Sequence, residues 1–183
     1  MDSKHQLTSW VPHSYQEDGV KLMISQACAG LLYKPGRGKT SVVYMAFRIL
    51  QELKYVDKLL VICPLRPMYV VWPSQKGRFH EFKHLKVNIL HGKDKEEKLQ
   101  DPTADIYVIN PEGLGWLLGA TSVGGKLVFN PNRANFIKSR FPMLVVDEST
   151  KFRNPQTQRF KLLRQFIKFF KRRYILTGTP TPK

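Results

Sequence analysis

Leu31-Leu32-Tyr33-Lys34-Pro35-Gly36-Arg37-Gly38-Lys39-Thr40 decides how the rest of this 183-residue chain is read. An apolar run enters a turn with two glycines, and a helical pattern opens at Lys39. Gly36 and Gly38 permit positive φ and let backbone N–H groups close on phosphate oxygens. The N-terminus of the following helix adds its positive dipole end. In that setting Lys39 reaches the β/γ-phosphates of a nucleotide, and the Thr40 hydroxyl ligates magnesium. Arg37 sits inside the loop and counts among the nucleotide-binding positions, with a side chain expected in solvent. The first glycine of the usual Gly-x-x-x-x-Gly-Lys-Ser/Thr pattern is Tyr33 here.

A phosphate loop needs acids: one to hold magnesium and one to activate the attacking water. Met143-Leu144-Val145-Val146 is an apolar strand that ends in Asp147-Glu148. Parallel sheets bind ligands at the carboxyl ends of their strands, which is where this pair falls. Asp147 is the candidate metal ligand with Thr40, and Glu148 the candidate general base beside the catalytic Lys39.

Outward from these two segments, short apolar runs alternate with helix-period stretches, the pattern of a mostly parallel α/β sheet flanked by helices. Strands are expected at Ala29–Tyr33, Lys58–Cys63, Lys86–Leu90, Asp105–Ile109, Met143–Val146 and Tyr174–Leu176. Helices are expected at Gln16–Gln26, Lys39–Leu53, Pro67–Phe82, Pro111–Leu118 and Pro155–Phe170. Ala120–Pro131, with Gly124-Gly125 and Asn130-Pro131, reads as a hairpin or loop insertion in the 120–140 region.

Composition narrows the partners. Thirty Lys+Arg against 14 Asp+Glu leave a net charge of +16, which favours a polyanion over a neutral surface. No apolar run reaches the roughly 18 residues of a membrane span, so no membrane partner is expected. The N-terminus lacks a signal-peptide layout, and Cys28 and Cys63 read as reduced core residues without a zinc pattern. The expected location is the cytoplasm, or the host cytoplasm for a phage protein, with the nucleus left open.

In order along the chain, further segments resemble those of superfamily 2 motors, most closely Swi/Snf-type ATPases and their phage relatives. His13-Ser14-Tyr15-Gln16 is similar to the adenine-reading segment, which implies that Gln16 binds the adenine edge while Tyr15 packs. Val61-Ile62-Cys63-Pro64-Leu65, with Trp72 beyond it, resembles motif Ia. Asp105 through Asn110-Pro111-Glu112 resembles motif Ib. The resemblance implies nucleic-acid backbone contacts at Pro64, Leu65, Arg66, Asn110 and Pro111. Asp147-Glu148 with Lys151 and Asn154-Pro155 is similar to motif II, departing at Ser149-Thr150. Leu176-Thr177-Gly178-Thr179-Pro180 resembles motif III, which implies a coupling role for Thr177, Gly178 and Thr179.

The resemblance implies a RecA-like ATP-binding lobe over residues 1–183, using ATP and magnesium, with DNA the favoured track. An RNA helicase lobe is the alternative track reading, and a binding module without catalysis is another for this chain by itself. A small-molecule kinase would share the phosphate loop but not the ordered later segments. Such motors hold ATP between two lobes, the second supplying an arginine finger. No second-lobe motif is assignable in these residues. Lys126 and Arg133 in the insertion are further expected backbone contacts.

Overall fold

The computed structural model of the chain describes residues 7–124, 126–148, 154 and 156–178. The strands run in chain order as β1 (Cys28–Leu32), β2 (Leu59–Ile62), β3 (Val87–Ile89), β4 (Ile106–Ile109), β5 (Thr121–Val123), β6 (Lys126–Val128), β7 (Met143–Asp147) and β8 (Arg172–Thr177). Six of them form one sheet in the order β1-β8-β7-β2-β4-β3. Every pairing within it is parallel.

A parallel sheet must be covered on both faces, so its central strands read as near-continuous apolar runs. β2, β4 and β7 are buried throughout, and successive side chains feed opposite cores. Leu59 and Val61 pack on one side with α1 (Ser14–Ser25), α2 (Lys39–Glu52) and α3 (Leu65–Ser74). Leu60 and Ile62 pack on the other with α4 (Lys95–Gln100), α5 (Leu114–Leu118), α6 (Pro131–Arg140) and α7 (Gln158–Phe166). The α2 stripe Val43, Phe47 and Leu50 is fully buried. Such burial contributes roughly 1.5–3 kcal/mol per large side chain. The last carbonyls of α1 are closed by Arg172 and Tyr174, whose side chains donate to Met23 O at 3.0 and 2.6 Å. A cation at a helix C-terminus also faces the negative end of the dipole.

Several local expectations change. The helix expected over Pro67–Phe82 starts earlier, at Leu65, and ends at Ser74. Pro73 removes an N–H from its last turn, and the chain continues as two 3₁₀ turns, Gln75–Gly77 and His80–Phe82. α4 and α6 were not foreseen. Leu99 is the single buried residue of α4, so no helical period shows there. Asn130-Pro131 is a helix start: the Asn130 side chain accepts from Arg133 N at 3.1 Å and Pro131 opens the first turn. The glycine-bearing hairpin does form, with β5 and β6 antiparallel and Thr121 opposite Val128. Cys63 is buried as expected, but Cys28 is exposed, its sulfur 3.1 Å from the Arg173 guanidinium. Among the described residues no helix is long and apolar enough to cross a membrane.

Candidate functional site

The 33–40 turn leaves β1 and enters α2 with Gly36 at φ 77° and Gly38 at φ 71°. Both values lie in the left-handed region that glycine alone adopts without cost. A Cβ at Gly36 would meet nothing within 4 Å, so that side of the turn is open. A Cβ at Gly38 would sit 2.4 Å from Gln16 Nε2. Gln16 comes this close because it ties two segments together. Its Oε1 accepts from His13 N at 2.9 Å, capping α1, and its Nε2 donates to Arg37 O at 3.1 Å. The side chain is buried, so the adenine-reading role expected of it has to share an amide already holding the turn in place.

Tyr33, at the position where a glycine is usual, serves as a brace. Its hydroxyl donates to Tyr15 O at 2.6 Å, and its ring meets Tyr15 edge-on at 5.4 Å. The packing role expected of Tyr15 is consistent with that contact. The Lys39 ammonium donates to Tyr33 O at 2.9 Å and to Lys34 O at 3.3 Å. Burial lowers its pKa, while the charges of Asp147 and Glu148 act in the opposite sense. The Arg37 side chain is exposed and borders a recess with Tyr15, Tyr33 and Lys34.

Asp147 closes β7 and is buried, whereas Glu148 is exposed and takes φ 52°, a left-handed conformation uncommon outside glycine. That turn directs Glu148 N to Asp147 Oδ1 at 2.9 Å. The second oxygen, Oδ2, accepts from the Trp72 indole N–H at 3.1 Å. Burial raises the Asp147 pKa, and these two donors partly offset the rise. Gly178, just past β8, completes the wall: a Cβ there would stand 2.9 Å from Pro35 Cδ. The segment after β8 and the turn after β1 therefore touch through a position that only glycine fills without displacement.

Gly36, Gly38, Lys39, Thr40, Asp147, Glu148 and Gly178 together line a cavity of about 320 Å³ at the carboxyl ends of the strands. The residues fit a magnesium nucleotide in kind: a backbone-lined turn, a lysine, a hydroxyl and two acids. Among the described residues no group of three or more His, Cys, Asp or Glu could hold a metal. An ion held by Thr40 and Asp147 would thus draw its other ligands from phosphate and water, as magnesium ordinarily does. A roomier recess of about 590 Å³ lies at the amino ends of the strands, among Lys54, Asp57, Lys138 and Lys171. It contains none of the residues singled out for chemistry, and carboxyl-end placement favours the smaller cavity.

The expected nucleic-acid contacts divide. Leu65 and Arg66 are exposed in the first turn of α3, and Pro64 precedes them. Asn110 and Pro111 are buried, with Asn110 Nδ2 donating to Glu112 Oε2 at 2.9 Å, so their side chains are not presented as a contact surface. Arg133 is also engaged otherwise. Its Nη1 and Nη2 meet both oxygens of Glu96 at 2.6 and 2.7 Å, and its Nε donates to Leu117 O. Thr177 is buried at the end of β8. Ser149, Thr150, Lys151, Pro155, Thr179 and Pro180 lie outside the described residues, as does the side chain of Lys126.

Sequence reading did not anticipate the wall formed by α3 and the 3₁₀ turn after it. Trp72 reaches Asp147, and buried Gln75 accepts from Ser41 Oγ at 2.7 Å, while Arg78 borders the same cavity. Trp72 was visible only as part of a motif, and Gln75 carried no signal at all.

A sequence model of the SNF2-related domain family matches residues 15–183. No curated protein matches the chain by sequence. Among solved structures, the Sulfolobus solfataricus SWI2/SNF2 ATPase core in complex with dsDNA superposes with TM-score 0.66 at 22% identity. That match covers 98% of this chain and 34% of the other. The UvsW helicase of bacteriophage T4 gives 0.65 at 17% identity, covering 97% and 57%. A second Sulfolobus solfataricus structure, the SWI2/SNF2 ATPase core domain, gives 0.63 at 24% identity, covering 98% and 35%. The chain thus spans between about a third and a little over half of these structures, and at such identities the likeness establishes the fold.

Proposed function

The chain belongs to the SNF2-related domain family, and from that premise we propose that it is the ATP-binding lobe of a nucleic-acid-dependent ATPase. The observation that carries this reading is the meeting of Lys39, Thr40, Asp147 and Glu148 around one cavity at the strand ends. In the proposed cycle the 36–38 turn and Lys39 bind the phosphates. Thr40 and Asp147 would hold magnesium, which would supply charge neutralisation on the transferred phosphoryl group. Glu148 accepts a proton from the attacking water, and its exposure leaves it able to do so. Gln16 reads the adenine edge while its amide holds the turn through Arg37 O.

DNA is the proposed track. The net charge of +16 supports a polyanionic partner, and the dsDNA held by the Sulfolobus core supports DNA over RNA. The exposed Arg66 at the start of α3 is the contact with most geometric support. Motors of this kind grip the backbone, which carries no sequence information, so little base preference is expected. We assign Thr177, Gly178 and Thr179 to coupling, supported by the close approach of Gly178 to Pro35.

A full catalytic centre also needs an arginine finger, which is worth about 10³–10⁵ in rate. We place it in a second RecA-like lobe outside these 183 residues. Steady-state phosphate release tests the proposal. The chain alone should turn over ATP barely, with or without duplex DNA, and adding the second lobe in trans should raise the rate. Strong DNA-stimulated turnover by the chain alone would contradict this division of labour and make Arg37 the first in-chain candidate to mutate.

A further inference from the structure

Helix α3 faces two ways. Its first turn carries exposed Leu65 and Arg66, and Tyr69 one turn on is half exposed. Its inner face carries Trp72, fully buried, whose indole N–H donates to Asp147 Oδ2. Trp72 is itself fixed from behind. Tyr44 packs against its ring at 5.8 Å and donates its hydroxyl to Trp72 O at 2.5 Å, closing a carbonyl near the helix end. One turn further, Gln75 accepts from Ser41, the neighbour of Thr40. One ten-residue helix therefore bears an exposed cation among the expected backbone contacts and a buried donor to the metal-side carboxylate.

We infer that Trp72 is a positioning residue for the Asp147 carboxylate, and that α3 transmits nucleic-acid engagement at Arg66 to it. The inference rests on the proposed reading of Asp147 as the magnesium carboxylate and of α3 as a track contact. Among the described residues Asp147 accepts from two protein donors, one on each oxygen. The Glu148 N–H belongs to the same turn and moves with it. Of these two, the indole comes from another element, so through it a shift of α3 changes the carboxylate's orientation. A donor of this kind behind a metal ligand commonly sets metal affinity by about 10–100-fold.

The test is titration of the 183-residue chain with a fluorescent, non-hydrolysable ATP analogue under three conditions: EDTA, saturating magnesium, and magnesium with saturating duplex DNA. Trp72→Phe should leave affinity in EDTA within about twofold. It should cut the magnesium-dependent gain by on the order of tenfold, and it should abolish any further gain from DNA. Replacing the indole by benzothiophene, which keeps the ring's size but lacks the N–H, should do the same if the phenylalanine variant folds poorly. In an Asp147→Asn background neither change at Trp72 should have a further effect, because two residues acting as a unit are not additive. A full magnesium gain in both Trp72 variants would overturn the inference. So would an equal loss in the Asp147→Asn background, which marks a merely structural tryptophan. A wild-type chain without any magnesium-dependent gain would instead overturn the nucleotide reading, and this inference with it.

Discussion

Gly36 and Gly38 share a backbone conformation but not a neighbourhood, and that contrast separates strain from crowding. Alanine at either position carries the left-handed penalty of about 1–2 kcal/mol. At Gly38 the added methyl also displaces Gln16, which holds both α1 and the turn. Gly38→Ala should therefore lower stability to urea more than Gly36→Ala, and it should weaken nucleotide binding more as well. Equal losses would mean that the Gln16 contact contributes little. The two acids make a second contrast. Asp147 is buried and held by two donors, whereas Glu148 is exposed. Asp147→Asn should weaken the magnesium-dependent part of nucleotide binding. Glu148→Gln should leave binding intact and stop turnover in the two-lobe assembly. Indistinguishable behaviour in binding and single-turnover assays would remove the separate roles assigned to them.

At the level of elements, what the sequence reveals depends on how much of each element is buried. β2 and β4, and β7 up to its closing Asp147, are apolar runs, so they could be read from composition alone. The turn into α2 was legible because phosphate-binding geometry needs particular residues. α4 was not, since one buried leucine gives no period. The end of α3 was hidden despite Pro73, because the apolar pattern continues through Phe79 and Phe82 although the helix stops. Side-chain commitments were less legible still. Nothing in the sequence says that Arg133 is taken up by Glu96 or that Asn110 points at Glu112. This yields a paired prediction. Arg133→Ala should cost about 1 kcal/mol of stability and leave nucleic-acid affinity unchanged, because its guanidinium joins α6 to α4. Arg66→Ala should leave stability unchanged and weaken nucleic-acid binding in fluorescence anisotropy. The opposite pattern would return the insertion to the binding surface.

Across the whole molecule, charge and topology point to the same use. A sheet with every pairing parallel brings the turn after β1, the acids at the end of β7 and the segment after β8 together at the carboxyl ends of the strands, far apart as they are in sequence. The excess of 30 basic over 14 acidic residues favours a polyanionic partner. Binding of the isolated chain to duplex DNA should accordingly be weak and steeply salt-dependent, with a log–log slope of about −0.9 per phosphate neutralised. Affinity insensitive to salt would contradict backbone binding. The central claim, however, is that the cavity among Gly36, Lys39, Thr40 and Asp147 holds a magnesium nucleotide. Isothermal calorimetry of the chain with a non-hydrolysable ATP analogue and magnesium addresses it directly. The account predicts one site in the wild-type chain and none detectable in Lys39→Ala, with both proteins folded by circular dichroism. Equal affinity in the two proteins would contradict it.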